Sequence, residues 1–266
     1  MQATINGISM HYEATGPDGA PAVLLHHPLA TNLGVWDELA AALADDYRVI
    51  RFDARGHGAT EAPKAPPAYG FATLSRDVIA LLDHLAIEQA AFIGVSMGGM
   101  IGQHLALEHG DRFYGFMLVS TSSRIAAEAR PLWHDRVVVA REKGMRSQVE
   151  TALPRWLAKA SFADKALVAR LSKMIETTPI EGYAGWCQTI SGLDVTDRLG
   201  GVAAPVTVVV GAEDASTPPA AAEVIANAIP GAKLIVMPGV SHQCMVEQPA
   251  AFLIHARAFL DINAGA

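Results

Sequence analysis

Short apolar runs alternate with segments of helical periodicity along most of this chain. Apolar runs bounded by turn residues are typical of buried strands, whereas apolar positions three and four residues apart are typical of amphipathic helices. The runs predict strands at 3–6, 9–13, Ala22–His26, Tyr47–Phe52, Ala90–Val95, Phe113–Ser120, Val206–Val210 and Lys233–Met237. The helical pattern predicts helices at 35–44, 72–86, 98–109, 218–228 and 249–261. This alternation predicts an α/β fold, a mostly parallel sheet flanked by helices on both faces.

The segment 122–190 departs from the alternation. It carries only helical patterns, which predict helices at 126–143, 145–159, 163–176 and 179–190. We therefore predict an α/β core of residues 1–121 and 191–266, with a helical cap of residues 122–190 inserted after the sixth strand. At the start of the chain, Asn6-Gly7 lies between the first two strands and predicts an antiparallel hairpin.

Composition restricts the class of protein and its partners. Of the 266 residues, 51% are hydrophobic and 18% are charged, which is typical of a globular chain with a sizeable core. The net charge of −7 argues against nucleic acid as the main partner. No apolar run reaches the roughly 18 residues of a membrane span, and the first residues lack a signal-peptide pattern. We expect a cytoplasmic protein that acts on a small molecule, with no nucleic-acid or membrane partner.

Charge is distributed unevenly between cap and core. Residues 122–190 carry 11 Lys and Arg against 7 Asp and Glu, whereas the remainder carries 9 against 20. A basic cap on an acidic core would steer an anionic substrate towards a site between them. The alternative explanation is that surface helices simply carry mixed charge.

The strongest chemical signal is Gly94-Val95-Ser96-Met97-Gly98, which fits the G-x-S-x-G nucleophile elbow. An apolar predicted strand precedes it and a predicted helix follows it, which is the context that the motif requires. The glycines leave room for a strained serine backbone between a strand and a helix. Ser96 is therefore the predicted nucleophile.

A serine needs a base, and in sheet hydrolases the base is a histidine that follows both the serine and an acid along the chain. Only His242 and His255 follow a plausible acid. His255 falls within the predicted C-terminal helix, where a packed or surface histidine is the simpler explanation. His242 follows a predicted strand, at the sheet edge where active sites of open parallel sheets collect. His242 is therefore the predicted base.

The acid should also follow a strand. Glu213 and Asp214 come directly after the strand that ends near Val210, and Asp214 lies at the tip of the loop. We predict Asp214 as the acid, with Glu213 as the alternative. Asp194 and Asp197 precede that strand and are expected to cap a short helix.

Acyl transfer also needs donors for the oxyanion. The N–H of Met97 lies at the predicted helix start, directly after the serine. The second donor should come from the loop after the Ala22–His26 strand, where Pro28 has no N–H and Leu29 is therefore predicted. His27 either shapes this loop or is a packed residue.

A second glycine-rich segment contains Asp53, Arg55 and His57. We interpret this segment as structural, with Asp53 and Arg55 holding loops through hydrogen bonds.

Together these motifs resemble the α/β-hydrolase superfamily over nearly the whole chain. They are the elbow, Asp53-Ala54-Arg55-Gly56-His57-Gly58, Gly211-Ala212-Glu213-Asp214, and Ser241-His242 followed by Val246-Glu247-Gln248-Pro249. Within the superfamily the chain is similar to the 3-oxoadipate enol-lactonases, through Leu153-Pro154-Arg155-Trp156, Glu181-Gly182-Tyr183-Ala184 and Cys187. These enzymes open an anionic five-membered enol lactone in aromatic catabolism.

The resemblance implies that Arg155 binds the substrate carboxylate and that Trp156 packs against the lactone ring. The alternative for this pair is a surface arginine beside a packing aromatic.

The proposed hydrolysis needs no cofactor or metal, and Cys187 and Cys244 have no metal-ligand spacing. A carboxylesterase of other small esters would use the same triad. A non-enzymatic ligand receptor is a further alternative, against which the complete triad argues.

Overall fold

Residues 1–64 and 68–263 are described by a computed structural model, in which eight strands form one sheet. The strands are β1 (Gln2–Ile5), β2 (Ile8–Thr15), β3 (Ala22–His26), β4 (Arg48–Phe52), β5 (Ala90–Val95), β6 (Phe113–Val119), β7 (Val206–Gly211) and β8 (Lys233–Met237). Their order across the sheet is β1-β2-β4-β3-β5-β6-β7-β8. The pairs β1–β2 and β2–β4 are antiparallel, and the other pairs are parallel. The predicted mostly parallel sheet is confirmed.

The predicted hairpin between β1 and β2 is also present. Asn6 and Gly7 both have positive φ, at 44° and 79°. Two consecutive positive φ angles are the requirement of a two-residue type I′ turn, and Asn-Gly meets it at low strain.

Helices cover the sheet and form the cap. The bounds are α1 (Asp37–Leu43), α2 (Phe71–His84), α3 (Met97–Glu108), α4 (Arg130–Lys143), α5 (Arg146–Trp156), α6 (Lys165–Thr177), α7 (Ile180–Ser191), α8 (Pro219–Ala228), α9 (Cys244–Glu247) and α10 (Pro249–Asn263). Helix α3 packs against β5 and β6, and α8 packs against β7 and β8. Every residue of β3, β5 and β7 is buried, as a parallel sheet covered on both faces requires. Of the described helices, none combines the length and apolarity that crossing a membrane requires.

Helices α4–α7, which we call the cap, lie between β6 and β7 along the chain. The chain segments that enter and leave the cap pair with each other, through Ile125 N to Leu193 O and Val195 N to Ser123 O, both 2.9 Å. The prediction that Asp194 and Asp197 cap a helix is wrong. The short 3₁₀ helix Thr196–Gly201 has no side-chain cap, and both carboxylates instead accept hydrogen bonds from Arg124.

The end of α5 differs from the prediction of a helix to residue 159. Helix α5 ends at Trp156, because Leu157 is extended, with φ −118° and ψ 137°. The next N–H, that of Ala158, donates to Glu247 rather than to a helical carbonyl. The sequence also did not predict several short helical segments of the described chain, which are Leu33–Trp36, Gly110–Arg112, Lys159–Ala163 and α9.

Candidate active site

Four loops meet where the parallel strands end. They follow β3, β5, β7 and β8, and the last three of them carry Ser96, Asp214 and His242. Because these strands run parallel in the same sheet, their carboxyl ends share one edge of the sheet. The topology therefore places at one edge three side chains that are far apart in sequence.

Ser96 has a strained backbone, with φ 55° and ψ −111°. Its N–H donates to Val119 O at 2.8 Å, and Thr121 Oγ1 donates to its carbonyl at 2.8 Å. A Cβ on Gly98 would collide with the carbonyl of His26, and one on Gly94 would collide with the backbone of Gly98. The two glycines therefore allow the close strand–helix approach that holds the serine in this conformation.

Asp214 and His242 form a buried pair, with 2.9 Å between Asp214 Oδ2 and His242 Nδ1. Thr217 Oγ1 donates to the same oxygen at 2.9 Å, and the N–H groups of Ser216 and Thr217 donate to Oδ1. Burial alone would raise the pKa of Asp214, but the charge and hydrogen bond of His242 and the Thr217 bonds outweigh it. The pKa of Asp214 therefore lies below its ordinary value and the carboxylate is ionised. Glu213, the alternative acid, is exposed.

Ser96 and His242 line one cavity, which has a volume of about 90 Å³. Among the described residues no hydrogen bond joins Ser96 Oγ to His242, and such bonds are commonly long until a substrate binds. Leu29, Arg155 and Trp156 line the same cavity. The indole of Trp156 lies nearly parallel to the His242 ring, with an interplanar angle of 28° and 6.3 Å between ring centroids.

The two predicted oxyanion donors, Met97 and Leu29, would act through their backbone N–H groups. Met97 is fully buried and is the first residue of α3, so its N–H has no partner within the helix. Leu29 lies in the loop after β3 at the cavity wall, and its N–H has no acceptor within the described part of the chain. The following residue, Ala30, has a positive φ of 58°, which gives the loop a sharp turn at this point.

Two buried histidines hold this loop in place. Ala30 N donates to His57 Nε2 at 3.0 Å, and Ala54 N donates to His27 Nε2 at 2.9 Å. Each Nε2 is thus an acceptor, so the proton of the neutral ring lies on Nδ1. Burial lowers the pKa of both histidines, only partly offset at His27 by the charge of Asp53. Of the two alternatives for His27, the loop-shaping one agrees with the structure.

The glycine-rich segment after β4 is structural, as interpreted from the sequence. Asp53 accepts hydrogen bonds from the N–H groups of Leu33 and Ala59 and lies 2.8 Å from the His11 ring. Arg55 forms two hydrogen bonds with Asp77, at 2.7 and 2.8 Å. Neither side chain lines the cavity that contains Ser96.

The cap contributes two arginines to the cavity, of which sequence reasoning predicted only one. Arg155 Nε donates to Thr151 O at 2.8 Å, and the guanidinium of Arg136 lies 4.4 Å from the ring centroid of Trp133. Neither arginine pairs with a carboxylate in residues 1–64 or 68–263. Burial, and then the nearby charge of Arg136, lower the pKa of Arg155. The spacing of Trp133 and Arg136, three apart on a helix, is the only signal in the sequence that could have identified this second arginine.

The cavity also contains a buried polar pair that the sequence did not reveal. Tyr183 on α7 donates its hydroxyl hydrogen to Gln148 Oε1 on α5, at 3.0 Å, and both side chains are buried. Within the described ranges, no group of three or more His, Cys, Asp or Glu could hold a metal ion. The hydroxyl groups of Ser122, Thr151, Ser216 and Thr217 also line the cavity.

Comparison with known proteins assigns the class. Residues 21–249 match the alpha/beta hydrolase fold family. The chain belongs to this family and is a hydrolase.

Three relatives are similar over nearly their whole length. The 3-oxoadipate enol-lactonase 2 of Acinetobacter baylyi is 37% identical over 250 residues, which cover 94% of this chain and 92% of the relative. The crystal structure of the enol-lactonase from Burkholderia xenovorans has a TM-score of 0.93 at 36% identity, covering 98% of this chain and 100% of that one. The malate-bound structure of a thermophilic esterase from Thermogutta terrifontis has a TM-score of 0.92 at 27% identity, covering 99% and 98%.

Proposed function

We propose that this chain is a serine hydrolase that opens a small anionic lactone through an acyl-enzyme. The observation that carries the proposal is a single cavity lined by Ser96, by His242 with its hydrogen bond to Asp214, and by two cap arginines that have no carboxylate partner among the described residues. An enol lactone of the 3-oxoadipate type has the required chemistry, a small ring ester with a free carboxylate. A role in aromatic catabolism in the cytoplasm is part of the same proposal.

In the proposed mechanism, Ser96 Oγ attacks the lactone carbonyl while His242 Nε2 accepts its proton. Asp214 holds the other ring nitrogen and stabilises the imidazolium that forms. The N–H groups of Leu29 and Met97 donate to the tetrahedral oxyanion. His242 then protonates the leaving oxygen, which in an enol lactone is an enol that tautomerises to a ketone. Water activated by His242 releases the acid and restores Ser96.

Two features support an anionic substrate of small size. Placing two guanidinium groups in one partly buried cavity is unfavourable unless an anion binds between or beside them. Arginine binds carboxylates well, because its planar fork offers two parallel hydrogen bonds. The volume of about 90 Å³ is well below the roughly 300–1,000 Å³ of typical ligand pockets, which favours a compact ring over a long acyl chain.

The second candidate is a carboxylesterase of other small esters, which would use the same triad. The similarity to the thermophilic esterase favours this alternative. The two candidates differ in substrate charge, since only an anionic substrate has a group for the arginines to bind.

Turnover of matched substrates separates the candidates. We would compare a five-membered enol lactone that bears a free carboxylate, the methyl ester of that carboxylate, and p-nitrophenyl acetate. The proposal predicts the highest kcat/KM for the lactone with the free carboxylate. The difference in kcat/KM between this lactone and its methyl ester should disappear at high salt, because salt screens the attraction between charges. Equal kcat/KM for all three would favour the carboxylesterase, and no hydrolysis of any would refute both.

A further inference from the structure

One carboxylate joins the loop of His242 to the cap. Glu247 lies at the end of α9, and its Oε2 accepts a hydrogen bond from Ser241 N at 2.6 Å. Its other oxygen, Oε1, accepts from Ala158 N at 2.6 Å and from Ser161 Oγ at 2.7 Å. Ser241 directly precedes His242, while Ala158 and Ser161 follow the cap helix α5. Glu247 therefore bridges the core and the cap with both of its oxygens.

Further hydrogen bonds run beside this bridge. Gln243 N donates to Trp156 O at 3.1 Å, so the N–H groups on both sides of His242 in sequence are anchored, one by Glu247 and one by the cap. Ser241 Oγ and Ser216 Oγ lie 3.3 and 3.4 Å from Arg155 O. The end of α5, which carries two of the predicted substrate-binding residues, is thus fixed to the loops of both His242 and Asp214.

We propose that Glu247 is a positioning residue, which sets the orientation of the His242 imidazole relative to Ser96 by tying its loop to the end of α5. The inference rests on the proposed function, because it assigns His242 the role of base. The three donors need an acceptor with two separate oxygens and several lone pairs, which an ionised carboxylate provides. Displacing a catalytic group by about 1 Å can reduce turnover by about 100-fold, so the bridge acts on kcat.

The arrangement also places substrate recognition next to the base. The backbone of Arg155 and Trp156 accepts the hydrogen bonds that fix the His242 loop, while their side chains line the cavity. A shift of the α5 end would therefore move the base and the substrate-binding side chains together.

The test uses two variants that cut the bridge differently. In Glu247→Gln, one carboxylate oxygen becomes an amide NH₂ group, which cannot accept a hydrogen bond from the donor that faces it. Ser161→Ala removes only one hydrogen bond, on the cap side. With p-nitrophenyl acetate, which has no carboxylate for the arginines, we expect Glu247→Gln to lower kcat by about 10- to 100-fold with KM within about twofold. Ser161→Ala should lower kcat by a smaller factor. The double variant should be no slower than Glu247→Gln, because both changes act through one carboxylate.

Controls separate positioning from stability and from failure of the proposed function. Glu223→Gln makes the same change at an exposed position of α8 and should leave kcat unchanged. A lower thermal midpoint with unchanged kcat, measured well below that midpoint, would overturn the positioning role. If Glu247→Gln does not fold, an unchanged kcat in Ser161→Ala overturns the proposal and a reduced kcat supports it.

Ser96→Ala is assayed in parallel. Hydrolysis by Ser96→Ala would refute the proposed function. An inactive Ser96→Ala beside a fully active Glu247→Gln would refute only the positioning role of Glu247.

Discussion

His242 Nδ1 lies 2.9 Å from Oδ2 of Asp214, while the N–H groups of Ser216 and Thr217 hold the other oxygen of the same carboxylate. The backbone bonds fix the orientation of the carboxylate, so that one oxygen faces the imidazole. With Nδ1–H donating to that oxygen, the unprotonated Nε2 is the nitrogen left to accept a proton. In the proposed mechanism, this pair gives Ser96 a base in the correct tautomer.

The first prediction concerns the triad. Ser96→Ala and His242→Ala should each lower kcat by roughly 10⁴-fold or more with the fold intact, because the three residues act as a unit. Asp214→Asn should cost somewhat less. Steady-state kinetics with circular dichroism as a folding check provide the measurement. Glu213→Gln, an exposed neighbour of Asp214, is the matched control, and near-normal turnover by Ser96→Ala would show that the assignment is wrong.

A second prediction concerns the oxyanion donors, which act through the backbone. Leu29→Pro deletes one N–H and should cost about 3–4 kcal/mol of transition-state stabilisation, in addition to any backbone strain. Leu29→Ala keeps the N–H and should have a mild effect on kcat. The ratio of kcat/KM between the two variants is the measurement, and equal losses in both would indicate that the N–H of Leu29 does not act in catalysis.

The cap arginines provide a third prediction. Arg155→Ala and Arg136→Ala should each raise KM for an anionic lactone, with a loss of about 1.5–3 kcal/mol in kcat/KM, and barely change turnover of p-nitrophenyl acetate. Arg146→Ala is the matched control, since Arg146 lies on α5 with its side chain 89% exposed. Equal losses for anionic and neutral substrates would indicate that the arginines are structural and would favour a plain carboxylesterase.

A fourth prediction concerns stability in acid. Burial, together with the charge of the nearby His27, lowers the pKa of His26 from 6.5 to about 3. Between these two pH values the ring is neutral in the folded protein, whereas it binds a proton in the unfolded chain. Stability is therefore lost as the pH falls below about 6.5, by about 2 kcal/mol at about pH 5 from His26 alone. Burial lowers the pKa of His27 and His57 too, which adds to the loss. Asp214, with its pKa below the ordinary 3.8, contributes only at more acidic pH.

Urea unfolding at several values between about pH 5 and pH 7.5 measures this loss as a fall in the free energy of unfolding. The exposed His134 offers a control, because His134→Asn should leave the pH dependence unchanged. A free energy of unfolding that stays constant over this range would be incompatible with buried neutral histidines beneath the active site.

The sequence predicted what depends on local patterns. The strand runs, the hairpin at Asn6-Gly7 and the helical cap have signals within a few residues, and the chain order Ser96, Asp214, His242 follows from the parallel topology. In the sequence, Asp214 is distinguished from Glu213 by its place at the loop tip. In the structure, Asp214 is buried and Glu213 is exposed.

Features that depend on residues far apart in sequence had no such signal. Helix α5 ends at Trp156 partly because Glu247, 89 residues beyond Ala158, takes the N–H of Ala158. Arg136 carries no motif, and its place at the cavity depends on how α4 packs against α5 and α7. The capping role predicted for Asp194 and Asp197 failed for the same reason, because their partner Arg124 precedes the cap and lies 70 residues before Asp194 in sequence.

The central claim is that hydrolysis proceeds through an ester of Ser96. Rapid mixing with excess p-nitrophenyl acetate, followed by acid quenching and peptide mass spectrometry, tests it most directly. We predict a burst of p-nitrophenolate approaching one equivalent per chain, an acetyl group on the peptide that contains Ser96, and neither in Ser96→Ala. Turnover that persists in Ser96→Ala, or an acetyl group that accumulates on another residue with the kinetics of the burst, would contradict the account.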